Sequence, residues 1–73
     1  MNHFANNLRR IRKDRHMPQS VMSISSGFTQ SQISDFERGR RLPSLPNLYR
    51  LHAVLGCSWD DLLNNPKPNK KTR

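Results

Sequence analysis

The chain has 73 residues, which is room for one domain around one small core and excludes a second. Thirteen lysines and arginines against five acidic residues give a formal net charge of +8, which suits a polyanionic partner, either nucleic acid or an acidic membrane surface. The single cysteine, Cys57, excludes an internal disulfide and, with three scattered histidines, offers no ligand spacing for zinc; no metal or cofactor is expected, and a reducing cytoplasm is the expected location.

The N-terminus lacks the apolar run of a signal peptide, and the apolar positions are divided among short segments, which argues against export and against a membrane partner. Phe4, Leu8 and Ile11 share one face of a first helix over about residues 4–15, with Arg9, Arg10, Lys13 and Arg15 on the other. Pro18 fits the first turn of a short second helix that runs through Val21, Met22 and Ile24 to about Ser26. Gly27 follows it, and Gly39 and Gly56 likewise stand just after segments of helical period.

The third helix has the best-marked start in the chain. Thr29-x-x-Gln32 is a capping box and Phe28 with Ile33 a hydrophobic staple, for a helix from Thr29 to about Arg38. Ser44 opens a fourth helix with Leu48, Leu51 and Leu55 on one face and Pro46 in its first turn. Ser58-x-x-Asp61 resembles a second box, with Cys57 and Leu62 as its staple, for a last helix ending near Asn64. Residues 65–73 hold two prolines and the cations Lys67, Lys70, Lys71 and Arg73 with no apolar anchor, the composition of a disordered basic tail. Removing those four charges leaves residues 1–64 at +4. The expected fold is all-α, a compact bundle of five short helices.

Two of these helices, Gln19 to Ser26 and Thr29 to Arg38, with a glycine-containing turn between them, match helix-turn-helix geometry. With Gln19, Gly27, Ile33, Glu37-Arg38-Gly39, Pro43-Ser44 and the closing run from Leu55 to Leu63 in register, the stretch from Phe4 to Leu63 resembles the Cro/C1-type helix-turn-helix domain. Phage repressors, restriction-modification controllers and antitoxins carry that domain. Three positions depart from its usual pattern: Pro18 stands where a serine cap is usual, Ser23 where alanine is, and Ser26 where a buried aliphatic side chain is. Val21 and Ile24 stand where family members more often expose polar groups, so they are either packed by a rotation of the second helix or displayed as a small apolar patch.

In the third helix, Thr29, Gln30, Ser31, Ser34 and Asp35 point away from the core and are the expected base-reading residues, while Ile33 and Phe36 face inward. Gln30 can pair with adenine N6 and N7, and Asp35 can either accept from cytosine N4 or exclude wrong sequences by repulsion. Arg38, Arg40 and Arg41 are expected on the DNA backbone. The resemblance adds Gln19, as a brace for Gln30 and a phosphate contact, and an ion pair between Arg12 and Glu37 that ties the first helix to the third. Trp59 is either core or a dimer contact.

No nucleophile, base and orienting group stand at catalytic spacing, so an enzyme is not expected. The function these readings imply is a transcriptional regulator, a repressor of the phage or mobile-element type, that binds double-stranded DNA at a pseudo-palindromic operator as a homodimer. The alternative is an antitoxin-like module that binds a partner protein through the second helix and regulates its own promoter.

Overall fold

A computed structural model describes residues 2–64, which form five helices and no strand: α1 Asn2–Asp14, α2 Gln19–Ser26, α3 Gln30–Glu37, α4 Leu45–Leu55 and α5 Trp59–Leu63. The expected all-helical bundle is the observed one. Element ends differ by one or two residues: α1 begins at Asn2, and Thr29 and Arg38 stand as caps just outside α3. The basic tail expected at 65–73 lies outside the described residues.

Local chemistry accounts for most of the helix starts. Thr29, Ser44 and Ser58 accept hydrogen bonds from the N–H groups of Gln32, Asn47 and Asp61 at 3.0, 3.4 and 3.0 Å. At α3 the box closes, because the Thr29 N–H donates to Gln32 Oε1 at 2.9 Å. Pro18 precedes α2 with no side-chain cap, and its ring holds φ at −61° for the entry into the helix.

The apolar stripes of the helices converge on one core of Phe4, Leu8 and Ile11 from α1, Met22 from α2, Ile33 and Phe36 from α3, Leu48, Leu51 and Leu55 from α4, and Leu62 from α5. Phe28, in the α2–α3 turn, joins them and meets Phe36 edge-to-face, with ring centroids 5.4 Å apart. Each such side chain contributes about 1.5–3 kcal/mol by leaving water. The result is that α3 is clamped from beneath by Ile33 and Phe36 and from its start by Phe28. Helix α1 packs against α3 and α5, and α2 against α3 and α4.

The two serines that depart from the family pattern explain the α2–α3 turn. Ser26 is buried; its hydroxyl donates to the Met22 carbonyl at 2.6 Å and accepts from the Phe28 N–H at 3.3 Å. Ser23 donates to the Phe28 carbonyl at 2.5 Å. Backbone groups of the turn that a tight corner would leave without partners are satisfied by α2 side chains. Gly27 supplies the left-handed residue of the corner, with φ +83°.

Candidate nucleic-acid interface

Because the capping box fixes the first turn of α3, the side chains after it project at set angles. Thr29, Gln30 and Ser31 are exposed; Ser34 and Asp35 follow one turn later, half-buried; Ile33, Phe36 and Glu37 turn inward. None of the five expected base-reading residues is buried. Thr29 and Gln32 are engaged with each other in the cap, which leaves Gln30 and Ser31 as the uncommitted side chains of the first turn.

Arg38, Arg40 and Arg41 follow in an exposed loop. The loop leaves α3 through a hydrogen bond from the Arg40 N–H to the Asp35 carbonyl, 2.9 Å, and one from the Gly39 N–H to the Phe36 carbonyl, 3.2 Å. That pairing is a Schellman closure, and it pins the three arginines beside the end of the helix. Asp35 lies 3.9 Å from the Arg41 guanidinium, a solvent-screened contact that partly offsets Arg41.

Arg12 and Glu37 form a buried bidentate pair, Nε to Oε2 at 2.5 Å and Nη2 to Oε1 at 3.0 Å. Arg12 Nη1 also donates to the Met17 carbonyl at 2.9 Å, so one side chain joins α1, the α1–α2 link and α3. The hydrogen bond made by Gln19 differs from the expectation. Its amide donates to Glu37 Oε1 at 3.1 Å rather than bracing Gln30. An ionised acceptor within reach outcompetes a neutral amide, since charge-assisted hydrogen bonds are roughly twice as strong.

Away from α3, Trp59 is half-buried and stacks flat on His52, with centroids 3.8 Å apart and planes 2° from parallel. The Tyr49 ring stands nearly perpendicular to it, with centroids 5.1 Å apart. Tyr49 is exposed, as is Leu45 one turn before it on α4. Val21 and Ile24 are displayed rather than packed, Ile24 at 84% exposure.

Three residues have structural roles that were not read from the sequence. Asn7 is fully buried and donates to the carbonyls of Leu62 and Asn64 at 3.0 and 2.8 Å, closing the end of α5 from α1. Arg10 binds Asn7 Oδ1 at 3.2 Å and the Asp61 carbonyl at 3.4 Å. The Arg50 guanidinium lies 4.9 Å from the Phe28 ring centroid, over the helix-turn-helix corner. No local signal announces these contacts, since the Asn7 and Arg10 partners in α5 are more than fifty residues distant in the chain.

Among the described residues no cluster of His, Cys, Asp and Glu could hold a metal ion, and no helix is long and apolar enough to cross a membrane. Burial pushes the Cys57 thiol up, with Arg15 opposing, so it stays protonated and weakly nucleophilic at neutral pH.

Comparison with known proteins converges on this unit. The helix-turn-helix family model matches residues 8–62, which include all of α2 and α3. An uncharacterized HTH-type transcriptional regulator of Sinorhizobium fredii is 39% identical over 57 residues, 78% of this chain and 74% of that protein. The ImmF control region 10 kDa protein of Bacillus phage phi105 is 40% identical over 51 residues, 70% of this chain and 57% of its own length. The crystal structure of the restriction-modification controller protein C.AhdI from Aeromonas hydrophila is similar with a TM-score of 0.78 at 30% identity, over 84% of this chain and 92% of that one.

Proposed function

We propose, for a chain that belongs to the helix-turn-helix family of DNA-binding transcriptional regulators and not to a family of enzymes, a function as a sequence-specific repressor acting on double-stranded DNA. The observation that carries this reading is the outward side of α3. A locked first turn displays Gln30 and Ser31, Ser34 and Asp35 continue the surface, and Arg38, Arg40 and Arg41 flank its end. In the major groove Gln30 pairs with adenine, Thr29 and Ser31 reach phosphate, base edge or thymine methyl, and Asp35 selects for cytosine or against other bases. Gln19, at the start of α2, and the three loop arginines hold the phosphates.

Repression is favoured over activation because α2 carries no acidic residue for contact with the transcription machinery. The names of the phage control-region protein and of the restriction-modification controller support a role in switching a small set of genes. The site of action is the cytoplasm, on DNA.

A single α3 reads only a few base pairs, so the working form is a homodimer on half-sites about 34–36 Å apart. Trp59, with the exposed Tyr49 ring against it, supplies an aromatic surface suited to pairing two copies. Selection of bound sites from random duplex DNA tests the whole reading. A pseudo-palindromic site is expected, and binding that ignores sequence overturns it. A second reading, a module that also binds a partner protein, is favoured by Val21 and Ile24, which α2 displays to solvent.

A further inference from the structure

The corner between α2 and α3 is held from within by Ser23 and Ser26, and from outside by a residue of another helix. Arg50 of α4 lays its guanidinium over the Phe28 ring, 4.9 Å from the centroid. A Cβ placed on Gly27, the neighbouring corner residue, would stand 3.8 Å from Arg50 Nη1, so the guanidinium rests against the corner backbone as well. Phe28 in turn meets Phe36 edge-to-face, with centroids 5.4 Å apart. Arg50 is therefore the outer member of a stack that runs from α4 through the corner to the last turn of α3. It is in no ion pair among the described residues, so no carboxylate competes with the ring for its position. A planar, delocalised cation suits the face of an aromatic ring.

That corner is the mounting of the base-reading helix. Phe28 precedes Thr29, whose capping box with Gln32 locks the first turn of α3 through hydrogen bonds of 2.9 and 3.0 Å, and Gln30 comes next. A bidentate contact between Gln30 and adenine tolerates little displacement, because N–H···O hydrogen bonds weaken outside about 2.7–3.2 Å. A slide of Phe28 from beneath its cover is carried through the locked turn to Gln30. We infer that Arg50 is a positioning residue for base reading: it touches no base, but its stack on Phe28 holds the start of α3 in the pose that Gln30 needs. The inference rests on the DNA-binding reading above. A cation–π contact at an exposed site biases a pose by about two- to fivefold, the equivalent of about 0.5–1 kcal/mol, and its loss lowers the population ready for specific binding by no more than that.

The test measures affinity of the full chain, at one salt concentration, for a duplex site selected from random sequence and for a scrambled duplex. Wild type, R50M and R50K are compared. R50M keeps an apolar stem over the ring and loses the cation, whereas R50K keeps the charge without the planar fork. Loss of charge by itself weakens binding to both duplexes alike and cancels in the ratio of the two affinities. R50M is expected to lower that ratio by about two- to fivefold per bound copy, and R50K to recover part of it. A contact that is merely structural would lower the thermal midpoint and leave the ratio where it is. A phosphate contact would lower both affinities and also leave the ratio where it is. An unchanged ratio in R50M therefore overturns the inference, while the DNA-binding reading stands on the preference of wild type. If wild type prefers no sequence, that reading fails, and deuterium exchange of the Phe28 and Thr29 amides, both hydrogen-bonded at the corner, decides the brace. Exchange about two- to fivefold faster in R50M keeps it, and equal rates remove it.

Discussion

At Glu37 one buried carboxylate accepts from Arg12 twice and from Gln19 once, and this geometry sets the cost of disturbing it. Replacing both partners of such a pair with apolar groups can be nearly neutral, but removing one leaves a charge stranded away from water, at about 3–5 kcal/mol. Glu37→Ala strands Arg12 in this way. At about 4–8 °C per kcal/mol for a domain of this size, its thermal midpoint should fall by at least about 12 °C in a circular-dichroism melt. Asp14→Ala is the comparison: it deletes the exposed Arg10–Asp14 contact at 3.9 Å and should move stability by less than about 0.5 kcal/mol. Equal midpoints for the two variants would show that the buried pair scaffolds nothing. The sequence offered this pair only through family resemblance, because neither charge carries a local mark of its partner 25 residues away.

Helices α1 and α3 end in the same way, and the likeness exposes a weak point in α1. Met17 N–H donates to the Arg12 carbonyl at 3.1 Å and His16 N–H to the Lys13 carbonyl at 2.9 Å, which is the Schellman pattern also formed by Arg40 and Gly39 after α3. The left-handed position holds Gly39 in one case, at φ +74°, and His16 in the other, at φ +53°. A side chain there costs about 1–2 kcal/mol of strain, against about 0.5–1 kcal/mol of extra backbone entropy for glycine in the unfolded chain. His16→Gly should therefore stabilise the protein by up to about 1 kcal/mol in urea unfolding, and a destabilised variant would mean that the His16 ring makes compensating contacts. Legibility follows the same division. The hydroxyl caps at Thr29, Ser44 and Ser58 act within four residues and could be read directly, whereas the left-handed residue that closes α1 could not, since histidine marks that conformation far more weakly than glycine. Ser26 looked out of place in a buried position because its partners, the Met22 carbonyl and the Phe28 N–H, exist only once the turn has formed.

Over the whole molecule, charge is distributed so that little of it is spent internally. Asp14, Asp35 and Glu37 take up Arg10, Arg41 and Arg12, while Arg9, Lys13, Arg38 and Arg40 are in no ion pair among the described residues. Three of those four surround a cavity beside α3, and the fourth follows it in the loop. The charge excess could be read from composition, with four of its cations in residues 65–73, but the gathering of Arg9, Lys13, Arg38 and Arg40 near α3 required the fold, because α1 and the α3–α4 loop are brought together by the Arg12–Glu37 pair and the core beneath it. A molecule built this way should bind duplex DNA chiefly through released counterions. If these four cations and Arg41 each neutralise one phosphate per copy, log affinity should fall with log salt at a slope of about −4.5, roughly five-hundredfold between 50 and 200 mM. Fluorescence anisotropy with a labelled duplex measures this directly. A slope near −1 would mean that the cations face solvent and not the backbone, whereas a slope near twice the expected value on a palindromic site would register two copies bound together.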